Sequence, residues 1–233
     1  MNNLFQKEIA KEAVHNNSVI SPFNEKNEFF VEPLGEIPGK PVYRFFKRIF
    51  DIFASGAALI VLCIPMLFIA IAIKCVSAGT VFYSQERLGL NGKKIQILKF
   101  RTMNMDAEAN GAQWSVGESD PRIFPLGRTL RKYHIDEIPQ FWCILRGDLS
   151  LVGPRPEREC FYKEFETYVH GFSERLKVKP GLTGLAQISG GYDLKPEEKI
   201  VYDVEYIKTR SFRLDILIML KTLKVLFTRD STK

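Results

Sequence analysis

The residues whose types and spacing best suit chemistry are Asp136 and Glu137, adjacent carboxylates in the stretch Leu130-Arg131-Lys132-Tyr133-His134-Ile135-Asp136-Glu137-Ile138-Pro139-Gln140-Phe141-Trp142. Ile138, Phe141, Trp142 and Leu145 follow at the i, i+3, i+4, i+7 spacing that predicts one buried face of a helix. Asp136 then falls where an N-cap belongs, and Pro139 is tolerated in the first turn. A helix start presents free N–H groups and a positive dipole end, which favour phosphate. A carboxylate pair there can attack one phosphate and hold a metal that bridges others. An Asp ahead of an apolar helix is also an ordinary cap, and the local sequence does not choose between the two readings.

Cations elsewhere in the chain bear on that choice. Lys99 and Arg101 lie two apart in Ile95-Gln96-Ile97-Leu98-Lys99-Phe100-Arg101, an alternating pattern that predicts a strand with both cations on one face. Arg131 precedes Asp136 by five residues and can return to the same pocket after a turn. Arg155 is flanked by Pro154 and Pro156. Pro156 pushes Arg155 into an extended conformation, so a guanidinium fork suited to phosphate hangs from a stiff backbone. Each of these also has an ordinary reading as a solvated strand edge, a surface arginine or a plain turn.

The elements that must position these residues are legible in outline. Thr80–Ser84 and the 95–101 strand, joined through Asn91-Gly92, predict a hairpin. Helices are expected after Arg158 as far as Tyr168 and over Glu197–Lys208, and Lys179–Gln187 reads as a close turn or pocket wall. Leu214 to Phe227, interleaved with Arg213, Lys221 and Lys224, predicts a basic amphipathic helix that either lies on a bilayer or docks on the core. Ahead of all this, Ile52 to Ile73 is an uncharged run of about 22 residues, against the roughly 20 that span a bilayer. Cations flank both ends, Asp51 stands at its start and Pro65 can kink it, so a re-entrant helix and a spanning one both remain open.

The chain has 233 residues and a net charge of +6, enough for one cored domain with an appendage, and basic in a way that suits a membrane surface or a phosphate-bearing substrate. No zinc-ligand spacing or RNA-binding motif supports nucleic acid. Cys63, Cys75, Cys143 and Cys160 form no CxxC pair and read as reduced. Residues 1–41 read as a polar, flexible N-terminal tail without a secretory signal, 42–78 as the membrane helix and 79–233 as the cytosolic domain with its C-terminal amphipathic helix. The expected fold class is α/β (α+β), a small hairpin or sheet with several helices.

One ordered set of fragments joins these features: Lys47-Arg48-Ile49-Phe50-Asp51, the apolar segment with Pro65, Gln85-Glu86-Arg87-Leu88-Gly89, Lys99-Phe100-Arg101-Thr102-Met103, Asp136-Glu137-Ile138-Pro139-Gln140, Gly147 through Glu157, and Lys179-Pro180-Gly181-Leu182-Thr183-Gly184. In this order the set resembles the bacterial sugar transferase family, the monotopic phosphoglycosyl transferases in their small form, from about Val42 to near the C-terminus. The resemblance implies a re-entrant, Pro65-kinked helix that does not cross the bilayer, and a catalytic domain on the cytoplasmic face of the cell membrane.

The implied reaction is transfer of a sugar 1-phosphate from a UDP-sugar to undecaprenyl phosphate, releasing UMP and initiating polysaccharide assembly. Asp136 would be the nucleophile that forms an aspartyl-phosphosugar, and Glu137 a ligand of Mg²⁺. Lys99, Arg101, Arg131 and Arg155 would line the site. The implied partners are the UDP-sugar, undecaprenyl phosphate and membrane lipid, with a homo-oligomer left open. Ile64 stands where the family often has Ser before the proline, and Cys75–Thr80 lacks the family's usual acidic-Ser-Pro-Gly-Pro pattern. The competing reading is a non-catalytic membrane-docked module that binds anionic lipid or nucleotide.

Overall fold

The structure is a computed structural model, and it describes residues 20–21, 28–37, 39–108, 120–190 and 194–227. Most of the N-terminal tail and most of Asp106–Asp120, where the sequence suits a loop or a short helix, lie outside the described residues.

Pro41 opens the longest element, α1 (Pro41–Val76, 36 residues), at the position where its missing N–H costs nothing. At 1.5 Å per residue α1 is about 54 Å long. Pro65 lies inside it and does not end it. Only 6% of its most apolar window is buried, and Phe53, Ile60, Val61, Ile64, Leu67 and Phe68 face outward.

Yet α1 is fastened near both ends to the rest of the chain. Near its start, Asp51 is buried and accepts a hydrogen bond from the Leu151 N–H at 3.0 Å. Arg48 donates to the carbonyls of Ile144 and Leu145 at 2.6 and 2.7 Å, the negative end of a short helix. Lys47 and Tyr43 both reach Asp215, at 2.7 and 2.8 Å. Near its end, Met66, Ile69, Ala70 and Ile73 pack on Phe100, Phe124 and Leu130.

β3 (Phe82–Leu88) and β4 (Lys94–Phe100) form the expected antiparallel hairpin, with Tyr83 opposite Lys99. Asn91 and Gly92 take the positive φ values of 55° and 75° that the turn requires. Along β4, Ile95 and Ile97 are buried, and Lys99 shares their face.

The chain continues through α2 (Pro125–Lys132), a 3₁₀ turn at Ile135–Glu137, α3 (Gln140–Arg146), β5 (Ser150–Val152), α4 (Glu159–Phe165), β6 (Val169–His170) and a 3₁₀ segment at Phe172–Lys177. β7 (Gly181–Thr183), α5 (Leu185–Gly190), α6 (Pro196–Thr209) and α7 (Phe212–Phe227) complete it. β5 and β7 pair in parallel. A Cβ on Gly181 would lie 2.1 Å from the Gly153 nitrogen, so the close approach expected of this turn is to neighbouring backbone.

Part of the tail is built into the fold. β2 (Phe29–Val31) pairs in parallel with β6 and antiparallel with β1 (Ile20–Ser21). Phe29 and Val31 are buried with Phe165, Val169 and Phe172. The short run Phe29-Phe30-Val31, aromatic and β-branched, is the local signal for this strand, which the polar composition of its surroundings hides. On α7, Ile218 and Asp215 are buried while Phe212, Leu217, Leu220 and Leu223 are exposed, so the helix docks one face and leaves a second apolar one open.

Candidate active site

Asp136 and Glu137 sit at the junction of α2 and α3. α2 ends at Lys132, and His134, at φ 56°, turns the chain sharply into the Ile135–Glu137 turn. The turn is held by bonds three residues apart, Glu137 N–H to His134 and Ile138 N–H to Ile135. The same spacing continues in Phe141 to Ile138 and Trp142 to Pro139.

This winding corrects the expected helix. Asp136 is not an N-cap, because Pro139 holds that place and α3 starts at Gln140. A 3₁₀ turn advances three residues per turn rather than 3.6, so the buried face is rotated from the predicted one. Gln140, Cys143 and Ile144 are buried, and Trp142 is 54% exposed.

The two carboxylates are both buried, yet their surroundings differ. Glu137 accepts from Lys99 Nζ at 2.7 Å and from both terminal nitrogens of Arg155. Burial alone would raise its pKa, but the charges and hydrogen bonds of Arg155 and Lys99 hold it well below the usual carboxylate range. The Asp136 carboxylate makes no hydrogen bond or ion pair among the described residues. Burial pushes it up to about 6, and Lys99, Arg131 and Arg155 only partly oppose that. Adjacent carboxylates with one firmly ionised and one near neutrality suit different roles. His134, lowered chiefly by burial, is neutral at pH 7.

The predicted cations divide. Lys99 arrives because its strand face is the inward one. Arg155 arrives from the Pro154–Pro156 segment. Arg131 donates to Thr102 Oγ at 3.0 Å, with its charge felt at Asp136.

Arg101 is not brought to the pair. β4 ends at Phe100, and the Arg101 N–H bonds back to Val81. Its guanidinium then donates to the carbonyls of Ala78 and Ser77 at 2.6 and 2.8 Å, closing the exit of α1. The parity argument fails because it assumed one residue more of strand.

Sequence reasoning missed Arg87 and Glu157. Arg87 donates to Glu157 at 3.0 Å and to the Pro156 carbonyl at 2.9 Å, and Glu157 is buried. Both lie in the motif fragments that carry the family resemblance, and their sequence signal is a charge within those motifs.

Among the described residues no group of three or more metal-binding side chains occurs. Mg²⁺ is commonly held by one or two carboxylates together with substrate phosphates and water, and Glu137, the carboxylate expected to ligate it, has its oxygens on Lys99 and Arg155.

A sequence profile described as "Bacterial sugar transferase" matches residues 42–229. The chain belongs to the bacterial sugar transferase family. This family member is 39% identical over 198 residues to the UDP-N-acetylgalactosamine-undecaprenyl-phosphate N-acetylgalactosaminephosphotransferase of Aeromonas hydrophila, covering 84% of this chain and 47% of that protein. It is 37% identical over 211 residues to the UDP-glucose:undecaprenyl-phosphate glucose-1-phosphate transferase of Klebsiella pneumoniae, covering 88% and 45%. It is 36% identical over 220 residues to the Exopolysaccharide production protein ExoY of Rhizobium meliloti, covering 88% and 93%. The chain thus spans about half the length of the first two relatives and nearly all of the third.

Proposed function

We propose that this sugar transferase family member moves a sugar 1-phosphate from a UDP-sugar to undecaprenyl phosphate, the acceptor named in the relatives from Aeromonas and Klebsiella. The observation that carries the mechanism is the asymmetry of the pair: Glu137 is gripped by two cations, whereas the Asp136 carboxylate is unencumbered among the described residues.

Asp136 attacks the phosphorus that bears the sugar. The bond from that phosphorus to the bridging oxygen breaks, and the electron pair leaves with UMP. The resulting aspartyl-phosphosugar is then attacked by an oxygen of undecaprenyl phosphate, which expels the Asp136 carboxylate and yields the lipid-linked diphosphate sugar. A covalent step divides one difficult transfer into two easier ones. It also lets a soluble nucleotide and a membrane lipid react in turn at one surface.

Lys99 and Arg155 neutralise the phosphate oxygens as charge builds, and Arg131 approaches from the Asp136 side. Glu137 together with the substrate phosphates would hold Mg²⁺, which would supply further charge neutralisation there. Purified protein is expected to release no more than one equivalent of UMP per enzyme from at least one member of a UDP-sugar panel when undecaprenyl phosphate is absent, and to turn over repeatedly when it is added. Absence of UMP with every donor overturns the reading.

The same proposal has α1 entering and leaving the bilayer by its cytoplasmic face, with the exposed apolar face of α7 on the surface. The support is the fastening of α1 at both ends to one domain. Only the stretch from 56 to 65 separates Ser55, which is buried, from Met66 on the second patch. That stretch is about 15 Å of helix, half of the roughly 30 Å a bilayer core requires. In a background without native cysteines, single cysteines at Glu36 and Lys93 are expected to resist an impermeant thiol reagent in intact cells and to react after permeabilisation. Labelling of either from outside rejects the re-entrant placement.

A further inference from the structure

Arg155 stands in a segment poor in donors, since Pro154 and Pro156 have no N–H. Its carbonyls do the holding instead. Four in a row are each taken by a different donor: Pro154 O by the Gly181 N–H at 3.0 Å, Arg155 O by Arg175 Nη2 at 3.0 Å, Pro156 O by Arg87 Nη1 at 2.9 Å, and Glu157 O by the Leu88 N–H at 3.0 Å. The bonds at Pro154 and Arg155 fix the two peptide planes on either side of the Arg155 Cα, and therefore the direction of its side chain. Two of the four donors are guanidinium groups, and both are themselves anchored.

Arg175 is the more unusual. Its side chain is 1% exposed, paired with Asp203 at 2.6 Å, and its guanidinium carbon lies 4.7 Å from the Phe172 ring centroid. Its Nε and Nη1 make no hydrogen bond. Its one hydrogen bond to main chain among the described residues goes to Arg155. A buried ion pair with donors left over is a poor device for stability, since an apolar pair of similar size does as well or better. Arg87 is braced by Glu157, which Lys199 also approaches at 3.6 Å.

We infer that Arg175 and Arg87 are positioning residues that clamp the backbone of Arg155 from behind, so that its guanidinium meets Glu137 and a substrate phosphate at one fixed place. The inference rests on the reading of Arg155 as a phosphate ligand given above. Neither clamp residue touches the reacting atoms. Each acts through Arg155, and misplacing a binding group by about 1 Å can cost on the order of 100-fold in rate.

The test is a double-mutant cycle on the full chain. Arg175→Met combined with Asp203→Leu exchanges the buried ion pair for an apolar one and removes the bond to the Arg155 carbonyl. With Arg155 present, kcat/KM for UMP release is expected to fall about 30-fold. In an Arg155→Ala background the same exchange is expected to change it by less than about twofold. An equal fall in both backgrounds, or none in either, overturns the clamp.

Arg87→Lys, at the more exposed end, is the second variant should the first not fold. It is expected to lose about fivefold with the same dependence on Arg155. Calorimetric binding of inorganic pyrophosphate gives a readout separate from catalysis, expected to weaken about tenfold only when Arg155 is present. Protein that releases no UMP yet shows this binding pattern retains the clamp and loses the transferase reading. Protein that is active yet additive retains the transferase reading and loses the clamp.

Discussion

Asp136→Asn is expected to reduce UMP release by at least about 10³-fold while leaving the protein as stable as before or more so. The amide cannot attack phosphorus, and the loss of a nucleophile is not compensated by the residues around it. The stability half follows from burial. A carboxylate raised from 3.8 to about 6 favours the folded state fully below its unfolded value, and that contribution is lost as pH rises through about 6. At neutral pH the folded protein therefore carries a buried charge at a cost on the order of 1 kcal/mol or more, and a neutral isostere removes the cost. Steady-state assays and thermal melts at pH 7.5 check both halves. A variant that keeps its activity rejects Asp136 as nucleophile. The ionised form alone attacks, so the kcat/KM of the unaltered protein is expected to rise with pH through about 6 and then level off.

Glu137→Gln is expected to behave in the opposite way in stability although it lies one residue along. The charge of Glu137 is what Lys99 and Arg155 are paired with, and removing one partner of a buried set leaves cations stranded at a cost of about 3 kcal/mol. For a chain of this size that corresponds to a melting temperature lower by roughly 6–12 °C. Glu137 has a depressed pKa, so its contribution is present above the usual glutamate value of 4.5 and disappears as pH falls through its lower folded value. The difference between variant and parent should thus be largest near neutrality and shrink in acid. Activity is expected to fall about 10²-fold or more, because Lys99 and Arg155 lose the anchor that aims them. Equal melting temperatures at pH 7 would show that the pairing holds nothing together.

Periodicity made the hairpin, the long apolar helix and α6 legible, because each depends on neighbours within a few residues. The carboxylate pair and Lys99 were legible for the same reason: adjacency and strand parity are local. Arg101 was misplaced because a strand end one residue early redirects a side chain, and nothing in Lys99-Phe100-Arg101 marks that end. Trp142 was turned inward by a 3.6-residue rule applied across a segment wound at three. Arg87, Glu157 and Arg175 were invisible as a group. Their contacts join residues 70 and 20 positions apart, Arg87 to Glu157 and Arg175 to Arg155, and no spacing rule reaches across folded layers. The strand Phe29–Val31 escaped because its partner, Val169–His170, is shorter still, at two residues.

The fastening of α1 at both ends has a mechanical corollary. A free spanning helix answers a change of bilayer thickness by tilting on its own. Here Asp51 is tied to Leu151 and Ile73 is packed on Phe100, so the apolar helix cannot rotate without carrying the hairpin and β5 with it. With α1 in the bilayer as proposed, depth of immersion and the height of Asp136 above the lipid are one coordinate rather than two. For such a body the bilayer must do the adapting, and a thinner or thicker membrane shifts the site relative to the lipid phosphates instead of bending the anchor.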